Sequence, residues 1–270
     1  MFQTKTPDWG KRIQRAVDLA EKHPGTAEVL AFYRRILEFQ KALYDDFASR
    51  PAVALDVARP FREQLNVDAA RRHLPALLAL VQKSGPAKLA QEAGKVGSTT
   101  TPEQRRQMLD DFLSATDGDD AEPGSWFARV LFQPQAEYLA ASPAAAPAGS
   151  SGPVCPVCEA RPQVTVLHPE GHGAKRSLVC SFCLTEWEFL RILCPVCGEE
   201  DHAKLPRYAA GGGRVVRVEA CDTCKYYLKG VDMTVDGLAV PLVDEIATLP
   251  LDLWAAEQGY TKISLNLMGF

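Results

Sequence analysis

The chain has 270 residues, 46% of them hydrophobic, which is enough apolar mass for one large domain or two to three small ones. A net charge of −4 with 24% charged residues excludes a general nucleic-acid binder built on a basic surplus. The negative surplus falls on the half of the chain after residue 152, which also holds all eight cysteines.

The opening residues, MFQTKTPDWGKRIQ, contain no apolar leader core. Apolar-rich stretches such as Leu74–Val81 are too short to span a bilayer. A soluble, cytoplasmic chain with no membrane insertion is therefore expected. In a reducing compartment, cysteines favour metal over disulfide.

The first half is rich in Ala, Leu, Arg, Glu and Gln, which are good helix formers. A helix is expected over Gly10–Lys22. The clearest helix runs from Thr26, as its N-cap, to Ala48, with Pro51 beyond its end. Its residues Phe32, Ile36, Phe39, Leu43 and Phe47 follow three-four spacing and form a core stripe. Asp68–Gln82 follows, with Asp68 as a cap and Pro75 as a kink. Further helices are expected over Pro86–Ala93, Pro102–Ser114 and Ser125–Ala141. Thr101 caps the second of these and Pro102 occupies its first turn. Arg34, Arg35, Arg71 and Arg72 read as a solvated face. No strand alternation is found before residue 150.

Residues Ser142–Pro153 are rich in Ala, Pro, Gly and Ser, carry no charge, and read as a linker. Beyond it, short strand-like runs flank the cysteines at Gln163–Leu167, Ser177–Cys180, Glu186–Ile192 and Arg214–Ala220. The run Ala210–Arg214 reads as a hairpin turn, since no helix or Lys-Ser/Thr follows to make a phosphate loop. Val240–Tyr260 reads as one helix or two short ones, ended by Gly259.

The cysteines form four C-x-x-C pairs: Cys155/Cys158, Cys180/Cys183, Cys194/Cys197 and Cys221/Cys224. The gap between the first two pairs is 21 residues and that between the last two is 23, which reads as an internal duplication. Two cysteines three apart can sit on one tight turn with both sulfurs aimed at one point. Two such turns facing each other close a tetrahedron of four sulfurs. Pro156 and Pro195 stiffen the first turn of each unit, and Gly198 follows Cys197 where a positive φ is often needed. Glu159 stands at the matching place of the first unit. Four sulfurs suit Zn(II) or a single Fe, and the spacing does not choose between them. A closed four-sulfur site leaves no coordination position for hydrolysis.

Other groups carry blander readings. His168, His172 and His202 are read as loop residues, because eight cysteines already fill two sites. Trp187, Tyr226 and Tyr227 are read as packing near the metals. Asp244, Asp252 and Glu257 are read as solvated helix charge. No Ser/His/Asp or Cys/His constellation can be assembled, so no catalytic residue is assigned.

Several strings carry a resemblance to a known family. They are Cys155-Pro-Val-Cys158, Leu178-Val-Cys-Ser-Phe-Cys183-Leu-Thr-Glu-Trp187, Arg191-Ile-Leu-Cys-Pro-Val-Cys-Gly198 and Glu219-Ala-Cys-Asp-Thr-Cys224-Lys-Tyr-Tyr-Leu-Lys229. With Val243–Asp252 and Glu257–Tyr260, these resemble the FdhE family of formate dehydrogenase accessory proteins over most of residues 153–266. The resemblance implies a cytoplasmic protein needed for active respiratory formate dehydrogenase. It implies association with the molybdenum-containing catalytic subunit before export by the twin-arginine route. It also implies rubredoxin-like sites with iron as the metal. The eight cysteines are the ligands carried over. Glu159 replaces the family's usual glycine, and Leu267-Met follows Asn266 where proline is more common.

The expected architecture is α+β and multidomain: a helical bundle over 1–141, a linker over 142–153, a rubredoxin-like or zinc-ribbon four-cysteine unit over 154–193, and a second such unit with the C-terminal helix over 194–270. The expected function is a maturation factor rather than an enzyme, with one mononuclear iron per unit and zinc as the alternative occupant. The expected partner is the formate dehydrogenase catalytic subunit, with no nucleic acid; a weak homo-oligomer is left open. The competing readings are a rubredoxin-type electron-transfer protein and a zinc-ribbon binding module.

Overall fold

The computed structural model describes residues 7–50, 55–115, 124–142, 152–209 and 214–270. All but Arg214 of the expected hairpin turn Ala210–Arg214, and most of the expected linker, lie outside the described residues.

Among the described residues, the first half holds six α-helices: α1 (Trp9–Lys22), α2 (Ala27–Ala48), α3 (Val67–Ser84), α4 (Ala87–Thr99), α5 (Pro102–Ser114) and α6 (Ser125–Ala140). Their ends follow local chemistry. Asp8 caps α1 by accepting from the Lys11 N–H, and Asn66 caps α3 by accepting from Ala69 N–H. Asp68, expected as that cap, instead lies in the first turn. At α5, Thr101 and Gln104 form a reciprocal capping box. Thr26 precedes α2 but makes no side-chain cap bond; its hydroxyl donates instead to the carbonyl of Ala247, 3.1 Å away in the second half. Helix α3 continues through Pro75, and α4 runs six residues past the expected end.

Of the expected core stripe on α2, Phe32, Ile36 and Leu43 are buried, while Phe39 and Phe47 are half-buried against the same core. Helix α6 is buried around nearly its whole circumference, including Arg129, Gln133, Gln135 and Glu137. A helix buried on all sides lies inside a core rather than on its surface. Here the surrounding elements are α2, α3 and α5 together with the cysteine-bearing half.

The second half holds one seven-stranded sheet. Its strands are β1 (Pro162–Glu170), β2 (Gly173–Cys180), β3 (Glu186–Glu188), β4 (Arg207–Tyr208), β5 (Val216–Ala220), β6 (Tyr226–Asp232) and β7 (Thr261–Lys262). The order is β3-β2-β1-β6-β5-β4, with β7 pairing β6. Each cysteine unit supplies an antiparallel meander. A parallel pairing of β1 with β6, from Val164↔Lys229 to Leu167↔Asp232, joins them. The two units are thus edges of a single sheet.

Strand β3 is shorter than the expected Glu186–Ile192. After Phe189 N donates to Arg176 O, the chain leaves β2, and the Arg176 guanidinium takes the carbonyls of Leu190 and Leu193 at 2.9 and 3.2 Å. A side chain here replaces the strand as hydrogen-bond donor. Two helices, α7 (Pro241–Ala247) and α8 (Leu249–Glu257), then cover one face of the sheet, and Gly259 follows with φ +79°. Strand alternation turns Tyr227, Lys229 and Val231 toward them.

Candidate metal centres

Each C-x-x-C pair forms the same backbone knuckle. The first cysteine's N–H donates to the carbonyl five residues on: Cys155 to Ala160, Cys180 to Thr185, Cys194 to Glu199 and Cys221 to Tyr226, each at 2.9 Å. The residue after the second cysteine is left-handed in all four: Glu159 at φ 63°, Leu184 at 58°, Gly198 at 74° and Lys225 at 62°. Three of these are not glycine. A side chain in that region costs about 1–2 kcal/mol, so the knuckle imposes its geometry against local preference. Backbone N–H groups point at the sulfurs: Val157 N to Cys155 Sγ at 3.5 Å, Phe182 N to Cys180 Sγ at 3.3 Å and Val196 N to Cys194 Sγ at 3.4 Å. Such donors stabilise thiolate.

The knuckles face each other in two sets. Cys155, Cys158, Cys180 and Cys183 form one group, and Cys194, Cys197, Cys221 and Cys224 the other, with the sulfurs of each group all within 4.8 Å of one another. Within each group, sulfurs of facing knuckles lie 3.5 Å apart for Cys155–Cys183, 3.3 Å for Cys158–Cys180, 3.7 Å for Cys194–Cys224 and 3.6 Å for Cys197–Cys221. A disulfide would place sulfurs about 2.05 Å apart. A tetrahedron with metal–sulfur bonds of about 2.3 Å has edges of about 3.8 Å, close to the observed spacing. The donor set therefore fits a four-coordinate thiophilic cation, iron or zinc.

The electrostatics agree. Burial pushes the Cys155 thiol up, but hydrogen bonds from Cys158, Cys180 and Cys183 outweigh it and bring it far below the ordinary thiol value. Burial, together with the Cys155 and Cys158 sulfurs, pushes Cys180 and Cys183 up. In the second group, Cys221 is lowered as hydrogen bonds from Cys224 and Thr223 N–H overcome burial, while burial raises Cys194 and Cys224. In each group one thiol is drawn below its ordinary value while neighbouring thiols are pushed above theirs. A divalent ion removes that conflict.

The two groups differ in setting. All four cysteines of the first group are buried, within the core shared with the helices. Arg129 Nη2 and Gln133 Nε2, both on α6, donate to the Ser181 carbonyl inside its second knuckle at 2.9 and 3.2 Å. Phe182 packs edge-on against Phe112 of α5 at 5.8 Å, and the Arg62 guanidinium lies 5.0 Å from the Phe182 ring. Trp187 is buried in the same core and donates to Gly152 O at 2.9 Å. In the second group, Cys197 is exposed and Cys224 half-buried.

The histidines stay outside both groups. His168 pairs with Glu186, while His172 and His202 are exposed. Tyr227 is buried and donates to Asp252 Oδ1 at 2.9 Å; Tyr226 is half-buried. Two carboxylates expected as solvated helix charge are not: Asp244 and Asp252 are both buried, and only Glu257 is exposed. Arg15 of α1 holds Asp244 at 2.5 and 2.9 Å and Asp236 at 2.7 Å. Helix α7 is buried on every side, so its charges need partners.

Asp252 belongs to a network that sequence reasoning missed. Lys229 contacts the Glu245 carbonyl, the Glu245 carboxylate and Asp252. Lys262 contacts Glu245 and Asp252, and Asn266 donates to Glu245 Oε2 at 2.7 Å. Two cations and two anions balance within a buried layer between sheet and helices. A lysine within the hydrophobic run Tyr226–Val231 was its one visible signal.

Residues 154–191 match the FdhE central domain, and residues 192–268 match the FdhE C-terminal domain. A "Protein FdhE homolog" of Aquifex aeolicus is 38% identical over 117 residues, covering 43% of this chain and only 41% of that protein's length. The "Protein FdhE" of Escherichia coli K12 is 27% identical over 271 residues, covering 96% of this chain and 86% of its own. The crystal structure of the FdhE protein from Pseudomonas aeruginosa superposes with a TM-score of 0.73 at 27% identity, covering 99% of this chain and 98% of that one. The likeness thus extends through the helical half, where no motif carried it. With its paired four-cysteine groups in one sheet against a helical half, the chain belongs to the FdhE family of formate dehydrogenase accessory proteins, not to a family of enzymes.

Proposed function

We propose that the protein is a maturation factor that binds the molybdenum-containing catalytic subunit of a formate dehydrogenase in the cytoplasm, before export. Each four-cysteine group holds one mononuclear iron through its four thiolates. The observation that carries this reading is the pair of closed four-sulfur sites within an FdhE fold. Such sites hold an ion firmly and offer no open position for hydrolysis. Among the described residues, no helix is long and apolar enough to cross a membrane, as suits a partner that meets its client before export.

Two measurements test it. Capture of the catalytic subunit by the tagged full-length protein, under anaerobic conditions, is the expected result. Its failure under both anaerobic and aerobic conditions contradicts the partner. Ferric four-sulfur iron is red and zinc is colourless, so a colourless, zinc-loaded protein that restores dehydrogenase activity contradicts iron as the working metal.

A further inference from the structure

We propose that the second cysteine group is a metal-exchange site, through which an ion enters and leaves the folded protein, and that the first is a fixed staple. The inference rests on the reading that both groups hold metal, and assigns them different work.

The first group is closed by tertiary structure. Ser181 and Phe182, which lie between two of its ligands, are clasped by Arg129, Gln133, Phe112 and Arg62. All four cysteines of this group are buried, and although Cys158 and Cys183 line clefts, neither is more than 7% exposed, so freeing an ion from all four sulfurs requires α5 and α6 to withdraw. That opening breaks the main core, so it draws on the high end of the range of local unfolding free energies.

The second group is closed by bonds within the cysteine-bearing half, among them that of Arg176 to Leu193 O beside Cys194 at 3.2 Å. Thr223 donates to Glu199 and Lys225 pairs with Asp222, and both contacts are exposed. Tyr260 adds a bond to Asp222 at 2.8 Å. Cys197 has its side chain open to solvent, beside exposed Val196. Among the described residues, no helix of the first half lays a bond across it comparable to that of Arg129. Glu199 and Asp222 at this mouth are paired with Lys204 and Lys225, while Arg176, Arg191 and Arg207 line the cleft on the side of Cys194 and Cys221.

Exchange here is ligand substitution. An incoming thiolate or chelating nitrogen binds the ion as the bond to Cys197 Sγ breaks, and the freed thiolate takes a proton from water. The ion keeps its charge, and no oxidant or reductant is consumed. The same steps in reverse load the site.

The test uses the full chain loaded with zinc and challenged with the chromogenic chelator pyridylazoresorcinol. Two phases of one ion each are expected, the slow one at least about tenfold slower. Cys197→Ser removes the fast phase and leaves the slow one. In parallel, timed iodoacetamide labelling of the unmutated protein, mapped by mass spectrometry, is expected to reach Cys194, Cys197, Cys221 and Cys224 before any first-group cysteine. Release in a single phase, or first-group cysteines labelled as early as the second, overturns the inference and leaves the two-centre reading standing. A protein that takes up no zinc or iron overturns that reading itself.

Discussion

Arg129 Nη2 donates to the backbone carbonyl of Ser181 across 2.9 Å, tying the central helix of the helical half to a cysteine knuckle. The contact is buried, and Gln133 one turn along reinforces it. The first metal centre is therefore shaped partly by residues some fifty positions upstream of it. Replacing Arg129 with Met removes a charged donor from a buried carbonyl and is expected to cost about 1–3 kcal/mol. Denaturant unfolding of the metal-loaded protein measures the loss. Stability unchanged within about 0.5 kcal/mol would show that the helical half does not support the knuckle.

The charge network between β6 and the C-terminal helices predicts a larger effect. Lys229 is fully buried between Glu245 and Asp252. Lys229→Met leaves two carboxylates facing Lys262 alone, and a destabilisation of about 3–5 kcal/mol is expected. The paired replacement Lys229→Met with Asp252→Leu restores neutrality and is expected to recover part of that loss. A double variant as unstable as the sum of the singles contradicts direct coupling.

Acid should weaken the same network. Burial pushes the Glu245 carboxyl up, but Lys229 and Lys262, with the hydrogen bond from Asn266, outweigh it, so its folded pKa lies below the ordinary 4.5. The folded chain then binds fewer protons than the unfolded chain between those values. This stabilisation is complete above pH 4.5 and is lost as pH falls through the lower folded value. The stability difference between wild type and Glu245→Gln is expected to shrink as pH falls from 5 to 3. Asp252 shares the site and remains in both proteins, so the difference isolates Glu245. A difference constant over that range would contradict the assignment.

Two glycines separate backbone need from packing need. Gly198 sits at φ +74° with open space where a Cβ would stand. Gly198→Val is expected to cost about 1–2 kcal/mol through backbone strain, and Glu159→Gly at the matching left-handed position is expected to be tolerated. Gly230 lies mid-sheet, where a Cβ would meet Glu219 Oε1 and Thr165 Oγ1, each at 2.7 Å. Gly230→Ala is expected to destabilise by about 1–3 kcal/mol through overpacking. Thermal unfolding of the three variants checks the order; equal effects at Gly198 and Glu159 would argue against a shared knuckle geometry.

Much of this structure is legible in the sequence where the cause is local. The capping box at Thr101, the spacing on α2 and the four C-x-x-C turns are short-range signals, and the observed elements start and group accordingly. The legible part ends where tertiary contacts decide. Strand β6 escaped notice because Lys229 and Gly230 interrupt its apolar run, and each is explained only by what lies opposite it. Helix α4 runs through Gly94 and Gly97, which locally read as breakers. The parallel β1–β6 pairing, the burial of Asp244 and Asp252, and the unequal exposure of the two cysteine groups all depend on which distant elements cover them.

Metal content of anaerobically purified full-length protein, combined with X-ray absorption at the metal edge, tests the two-centre architecture most directly. Two ions per chain are predicted, with iron as the expected metal and every ion in a shell of four sulfurs at about 2.3 Å. One ion or none per chain, or a shell that includes nitrogen or oxygen, would contradict two closed four-thiolate centres.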